Sequence, residues 1–129
     1  LDCQKPNLIT VKKFVIGLGM AMKKIDPDFL RSDTSLRATA ARLVAARMSL
    51  GLSQKEMAQR AGVSPSRLQN SEAARVFPAR AVMAELFSHH RIDFNFLIYG
   101  DDSGLPHATR AAILAEFGAA LAAVDRKAG

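Results

Sequence analysis

Between Gly62 and Ala73 the chain reads GVSPSRLQNSEA, and its small and amide residues fall at spacings that could carry recognition chemistry. Ser64 is a good N-cap, and Pro65 sits where a missing N–H costs nothing, so a helix is expected from Pro65 to about Ala73. Leu68 is the large apolar side chain of that helix and must point inward. Ser66, Gln69, Asn70 and Ala73, at spacings of three, four and seven, then share the opposite side. Hydroxyl and amide groups both donate and accept hydrogen bonds, and Asn or Gln can pair bidentately with the edge of an adenine. The plainer alternative for Gln69 and Asn70 is a solvated polar face. Arg67, Arg75 and Arg80 flank the same region, with Lys55 and Arg60 further off, and supply charge suited to an anion.

The elements around this helix must hold it at an angle. Leu36, Ala40, Leu43 and Leu50 repeat on one helical stripe that Gly51 closes. Ser53-Gln54-Lys55-Glu56 reads as a capping box opening a second helix, with Met57, Ala58 and Ala61 on its buried side. Gly62 ends that helix in the left-handed conformation that glycine adopts cheaply, and Val63 can staple onto Leu68. Two short helices joined at one glycine make a sharp corner. A further helix is expected from Pro78 to about His90, with Val82, Met83, Leu86 and Phe87 inside. Asp93 caps a fifth, FNFLIY, which Gly100 ends. DDSGLP (101–106) reads as a linker. An Ala-rich helix follows from His107 to Lys127, with Ile113, Phe117, Leu121 and Val124 on a seam that could meet a second copy. Packing as a further bundle member is the other reading of that helix.

The bulk numbers fit one domain. At 129 residues, 49% hydrophobic, without Trp and with no strand pattern or repeat, the chain reads as all-α. The net charge is +6, and the excess lies between residues 35 and 100, where nine Lys or Arg stand against four Asp or Glu. Such a concentration points to a polyanionic partner. The single Cys3 can form neither an intramolecular disulfide nor an all-Cys zinc site, which suits a reducing cytoplasm. The apolar run FVIGLGMAM (14–22) is too short to span a bilayer and lacks a cleavage site for a secretory signal, so a packing arm is expected and no membrane partner. The chain opens on Leu1, which makes Met20 or Met22 a candidate translation start. His89, His90 and Asp93 do not complete a metal site, because the adjacent histidines point about 100° apart. No cofactor loop or nucleophile arrangement stands out.

The segment Leu36 to Gly100 closely resembles the phage-repressor helix-turn-helix family, the Cro/C1 or XRE type. The matching residues are Arg47, then Gly51-Leu52-Ser53-Gln54, Met57-Ala58, Gly62-Val63-Ser64, Leu68, Glu72, Pro78, Ile92 and Phe96-Leu97-Ile98-Tyr99-Gly100. The resemblance implies a five-helix domain over 35–100 that binds operator DNA as a dimer. Residues 1–34 form an N-terminal extension, and 101–129 a linker and C-terminal helix. By the resemblance, base contacts fall on Pro65, Ser66 and Asn70, to which the helical face adds Gln69. Phosphate contacts fall on Gln54, with Ser64, Arg67, Arg75 and Arg80 beside it. Arg47 and Glu72 occupy positions that pair in a structural salt bridge. The sequence departs from the family at Ala74, where glycine is usual, at Ser71, usually apolar, at His90, often leucine, and at Phe87, often small.

These readings converge on a cytoplasmic, nucleoid-associated transcriptional regulator, a repressor binding a roughly palindromic operator as a homodimer, with no cofactor and no metal. The family's self-cleaving Ser–Lys peptidase domain would not fit in the residues after Gly100, so no enzymatic activity is expected. Two other classes share the fold. One is the antitoxin of a toxin–antitoxin pair, with a toxin protein as partner; the other is a protein-interaction module that never reads DNA.

Overall fold

The computed structural model describes residues 29–128. Cys3, the apolar run 14–22 and the candidate starts Met20 and Met22 lie outside the described residues. The regular elements among the described residues are all helices: α1 (Leu36–Ser49), α2 (Gln54–Ala61), α3 (Pro65–Glu72), α4 (Arg80–His90), α5 (Asn95–Tyr99, a single wide π-type turn) and α6 (His107–Ala128). A 3-10 turn, Asp102–Gly104, precedes α6.

Local chemistry sets the helix ends. The Ser35 hydroxyl accepts from the Ala38 N–H, and Gly51 closes α1 at φ +70°. In α2 the Ser53 hydroxyl accepts from the Glu56 N–H while a Glu56 carboxylate oxygen accepts from the Ser53 N–H, the reciprocal pair that satisfies two orphan donors. Asp93 accepts from the Phe96 N–H at the start of α5, and Gly100 ends it at φ +73°. The helix after Pro78 begins later than expected, at Arg80. Pro78 is buried, and Ala79 caps the helix with no side-chain hydrogen bond.

Helix α1 is the axis of the molecule. Every residue from Ala38 to Ala46 is buried, because α6 covers one side while α3 and α5 pack on others. The stripe expected from Leu36, Ala40, Leu43 and Leu50 understates this, since Leu36 and Leu50 are the less buried positions. The run of alanines at 38, 40, 41, 45 and 46 lets neighbouring helices approach α1 closely. Ile113, Phe117, Ala120 and Val124 of α6 are buried in the same core, and Leu121 packs at its edge. The seam read as a dimerisation element is therefore occupied within the chain. An i, i+4 apolar stripe requires a cover, and α1 is the nearest one. Arg37 and Asp125, paired at 2.7 Å, place the start of α1 beside the end of α6, so the two helices run antiparallel.

Arg42 also corrects the charge reading. One of the nine basic residues counted between 35 and 100, it is fully buried and is the largest such side chain among the described residues. All five of its N–H groups are used. Nε donates to the carbonyl of Phe29, Nη1 to those of Leu97 and Ile98, and Nη2 to those of Leu30 and Asp33, at 2.7 to 3.1 Å. Loss of water pulls its pKa down to about 10, so the guanidinium stays charged at neutral pH. It ties the strap 29–33 to the end of α5. Phe29 follows it into the core, edge-on to Phe96 and Phe117 at 5.1 and 5.4 Å.

The strap and the 101–106 connection are thus packed parts of one body. Asp102 pairs with Arg31 at 2.8 Å and with Arg110, and Leu105 is buried, so DDSGLP does not behave as a free linker. Phe87, expected inside, is 46% exposed with the Arg91 guanidinium 5.0 Å over its ring. Val82 and Leu86 define the inner face of α4, and Phe87 lies a further 100° round the helix.

Candidate nucleic-acid interface

The corner between α2 and α3 is made by Gly62 at φ +74°, followed by Val63, whose N–H bonds back to the Ala58 carbonyl at 3.0 Å. The Ser64 hydroxyl then accepts from the Arg67 N–H, and Pro65 occupies the first helical position. Leu68 is buried, which turns Pro65, Ser66, Gln69 and Asn70 outward, and all four are exposed. Ala73, placed on that outer side by helical spacing, is buried because the chain leaves the helix there. Arg67, Arg75 and Arg80 are exposed, as are Lys55 and Arg60.

One buried carboxylate fixes the angle of α3. Glu72, 1% exposed, accepts from Arg47 Nε at 2.7 Å and Nη2 at 3.0 Å, and from the Gln54 amide at 2.7 Å. Arg47 Nη1 completes the set by donating to the Leu52 carbonyl at 2.8 Å. The end of α1, the start of α2 and the end of α3 are joined at one point. A bidentate arginine–carboxylate pair resists rotation as well as separation. The Gln54 side chain is therefore half-buried and committed through one amide hydrogen to Glu72.

Two of the departures noted in the sequence, at Ser71 and Ala74, are accommodated here. The Ser71 hydroxyl, where an apolar residue is usual, is buried and donates to the Leu68 carbonyl at 2.8 Å, so it adds no unsatisfied polar atom. At the end of α3 the Ala74 N–H bonds to the Ser71 carbonyl and the Arg75 N–H to the Asn70 carbonyl. That pattern is a Schellman closure, which needs a left-handed residue, and Ala74 supplies it at φ +63°. A non-glycine residue there costs about 1–2 kcal/mol. Ala74→Gly is accordingly expected to stabilise the domain by about 0.5–1 kcal/mol, after the greater freedom of glycine in the unfolded chain is set against the relief. Urea denaturation would check this; a destabilised variant would show that the left-handed turn is not strained.

Elsewhere, His89 faces Glu85 one turn back at 3.2 Å. Among the described residues no group of three or more His, Cys, Asp or Glu could hold a metal ion. No helix among them is long and apolar enough to cross a membrane. A cleft of about 420 Å³ lies between the ends of α1 and α4 and the start of α6, away from α3.

No curated protein and no solved structure matches the chain. Residues 36–93, which the structure folds into α1 to α4 and the turn before α5, match a family model of the XRE-like group, described as a helix-turn-helix domain.

Proposed function

We propose that this protein is a sequence-specific DNA-binding transcriptional regulator of the Cro/C1 type, a repressor that binds a palindromic operator as a homodimer. One observation carries the reading. The second helix of a helix-turn-helix presents Ser66, Gln69 and Asn70 to solvent, on an element whose angle is fixed by a buried ion pair, and Arg67 within it and Arg75 and Arg80 after it in the chain are exposed. In this arrangement α3 enters the major groove and α2 crosses the backbone above it, with its N-terminal N–H groups near a phosphate. Pro65 offers no side-chain hydrogen bond, so it meets a base edge or a sugar through apolar contact. One short helix reads only a few base pairs, and a second copy about 10–10.5 bp away supplies the rest of the specificity.

The roles separate by experiment. Asn70→Ala is expected to cost about 1–3 kcal/mol at one base-pair position and to leave the others unchanged. Arg80→Ala should weaken binding to every duplex by a similar factor. It should also flatten the dependence of log affinity on log salt by about 0.9, the slope that neutralising one phosphate contributes. Anisotropy titrations on selected and random duplexes at two salt concentrations would measure both effects. An Arg80→Ala effect confined to the selected sequence would remove Arg80 from the phosphate set.

A further inference from the structure

The turn that ends α3 does more than stop the helix. Because Ala74 is left-handed, Arg75 folds back over the last turn, and its main-chain N–H reaches the Asn70 carbonyl at 3.0 Å. The side chains meet as well, with Arg75 Nη1 donating to Asn70 Oδ1 at 3.1 Å. Both residues are exposed, and the pair lies on the outward face with Ser66 and Gln69.

A guanidinium has donors and no acceptor, so only the oxygen of an amide can face it. The contact therefore decides which way the Asn70 amide points before any ligand arrives. We infer that Arg75 is a positioning residue for base recognition: it holds Asn70 with Nδ2 turned outward, so that this position favours a purine. The inference rests on the DNA-binding reading above. In the major groove a purine presents N7 as an acceptor, which the outward Nδ2–H can reach. The second lone pair of Oδ1 remains for an adenine N6–H. A free asparagine would sample both amide orientations, and half of its approach geometries would face a purine N7 with the oxygen, acceptor to acceptor. Arg75 removes those. A residue that acts only on phosphate would strengthen all sequences alike, and the two roles can be told apart.

The experiment starts from duplex DNA selected from a random pool by the full chain. The base pair read by Asn70 is located as the one at which Asn70→Ala loses discrimination. Affinities for all four base pairs at that position are then measured for the wild type, Arg75→Ala, Asn70→Ala, the double variant and Ala74→Gly. The expected result is a purine preference in the wild type that falls about 3- to 10-fold in Arg75→Ala, in the range usual for contacting pairs. The same substitution should not change discrimination at that position when Asn70 is already alanine. Ala74→Gly should retain the wild-type preference, because glycine keeps the turn. If Arg75→Ala lowers affinity for all four base pairs equally, or if its effect persists undiminished in the Asn70→Ala background, the positioning role is wrong while the DNA-binding reading stands. If the wild type prefers no sequence at all, both fall together. Melting temperatures measured on the same samples check that each variant is folded.

Discussion

Arg42→Met is expected to lower the stability of the domain by more than about 4 kcal/mol, enough to leave much of the chain unfolded at ambient temperature. Methionine approximates the volume of the arginine stem, so little of the loss comes from a cavity. What it removes is five donors. The carbonyls of Phe29, Leu30, Asp33, Leu97 and Ile98 each accept from Arg42. A buried acceptor left unsatisfied costs about 1–3 kcal/mol, and only those at the edge of the strap can turn to water. Leu97 and Ile98 lie in the last part of α5, whose final carbonyls have no intrahelical partner. Total stability for a domain of this size is about 5–15 kcal/mol, so the loss decides whether it folds. Arg42→Lys keeps the charge but has three donors, and should fall between the two. Chemical denaturation followed by circular dichroism reads the series, and a methionine variant within about 1 kcal/mol of wild type would show that water replaces the guanidinium without penalty.

The second large effect is expected at Glu72. Glu72→Ala strands the Arg47 guanidinium, which is only 15% exposed, and frees the Gln54 amide. Removing one partner of a buried pair costs about 3–5 kcal/mol. For a chain of this length that corresponds to a drop in Tm on the order of 10–20 °C. The joint also sets the angle of α3, so DNA binding should weaken even at temperatures where the variant is folded. A double change, Arg47→Met with Glu72→Leu, separates the contributions. Replacing both charges by apolar groups should recover stability, since no charge is left behind, but not the sequence preference, because the bidentate restraint on α3 is gone. Full recovery of both would mean that packing alone orients the helix.

What could be read from the sequence is what neighbouring residues write together. The capping box at Ser53–Glu56, the corner at Gly62, the start at Ser64-Pro65 and the Asp93 cap each depend on residues within a few positions. The structure has them where those residues put them. The family resemblance implied an Arg47–Glu72 pair, and the structure brings the two side chains to 2.7 Å.

Where the reading failed, the partner was distant or was main chain. Arg42 was one of nine basic residues in a charge count, and nothing set it apart because the carbonyls that bury it, at 29–33 and 97–98, carry no residue signature. The α6 seam announced that a face is covered, yet apolar spacing says nothing of whether the cover is another copy or α1. Phe87 was assigned inward by its hydrophobicity, although the Val82–Leu86 pair already fixes the inner face of α4. The Arg75–Asn70 contact depends on a left-handed alanine; the resemblance marked position 74 as one where glycine is usual, but an alanine there does not say whether the left-handed turn is kept.

The proposed function stands on the outward face of α3 reading base pairs. Selection of duplexes from a random pool, followed by competition between the best sequence and random DNA at physiological salt, puts that to the test. The expected outcome is a two-fold-related consensus bound at least about 10³-fold more tightly than random duplex. Asn70→Ala should then erase preference at one position in each half-site. Equal affinity for selected and random duplexes, with the Ser66, Gln69 and Asn70 substitutions all silent, would contradict it.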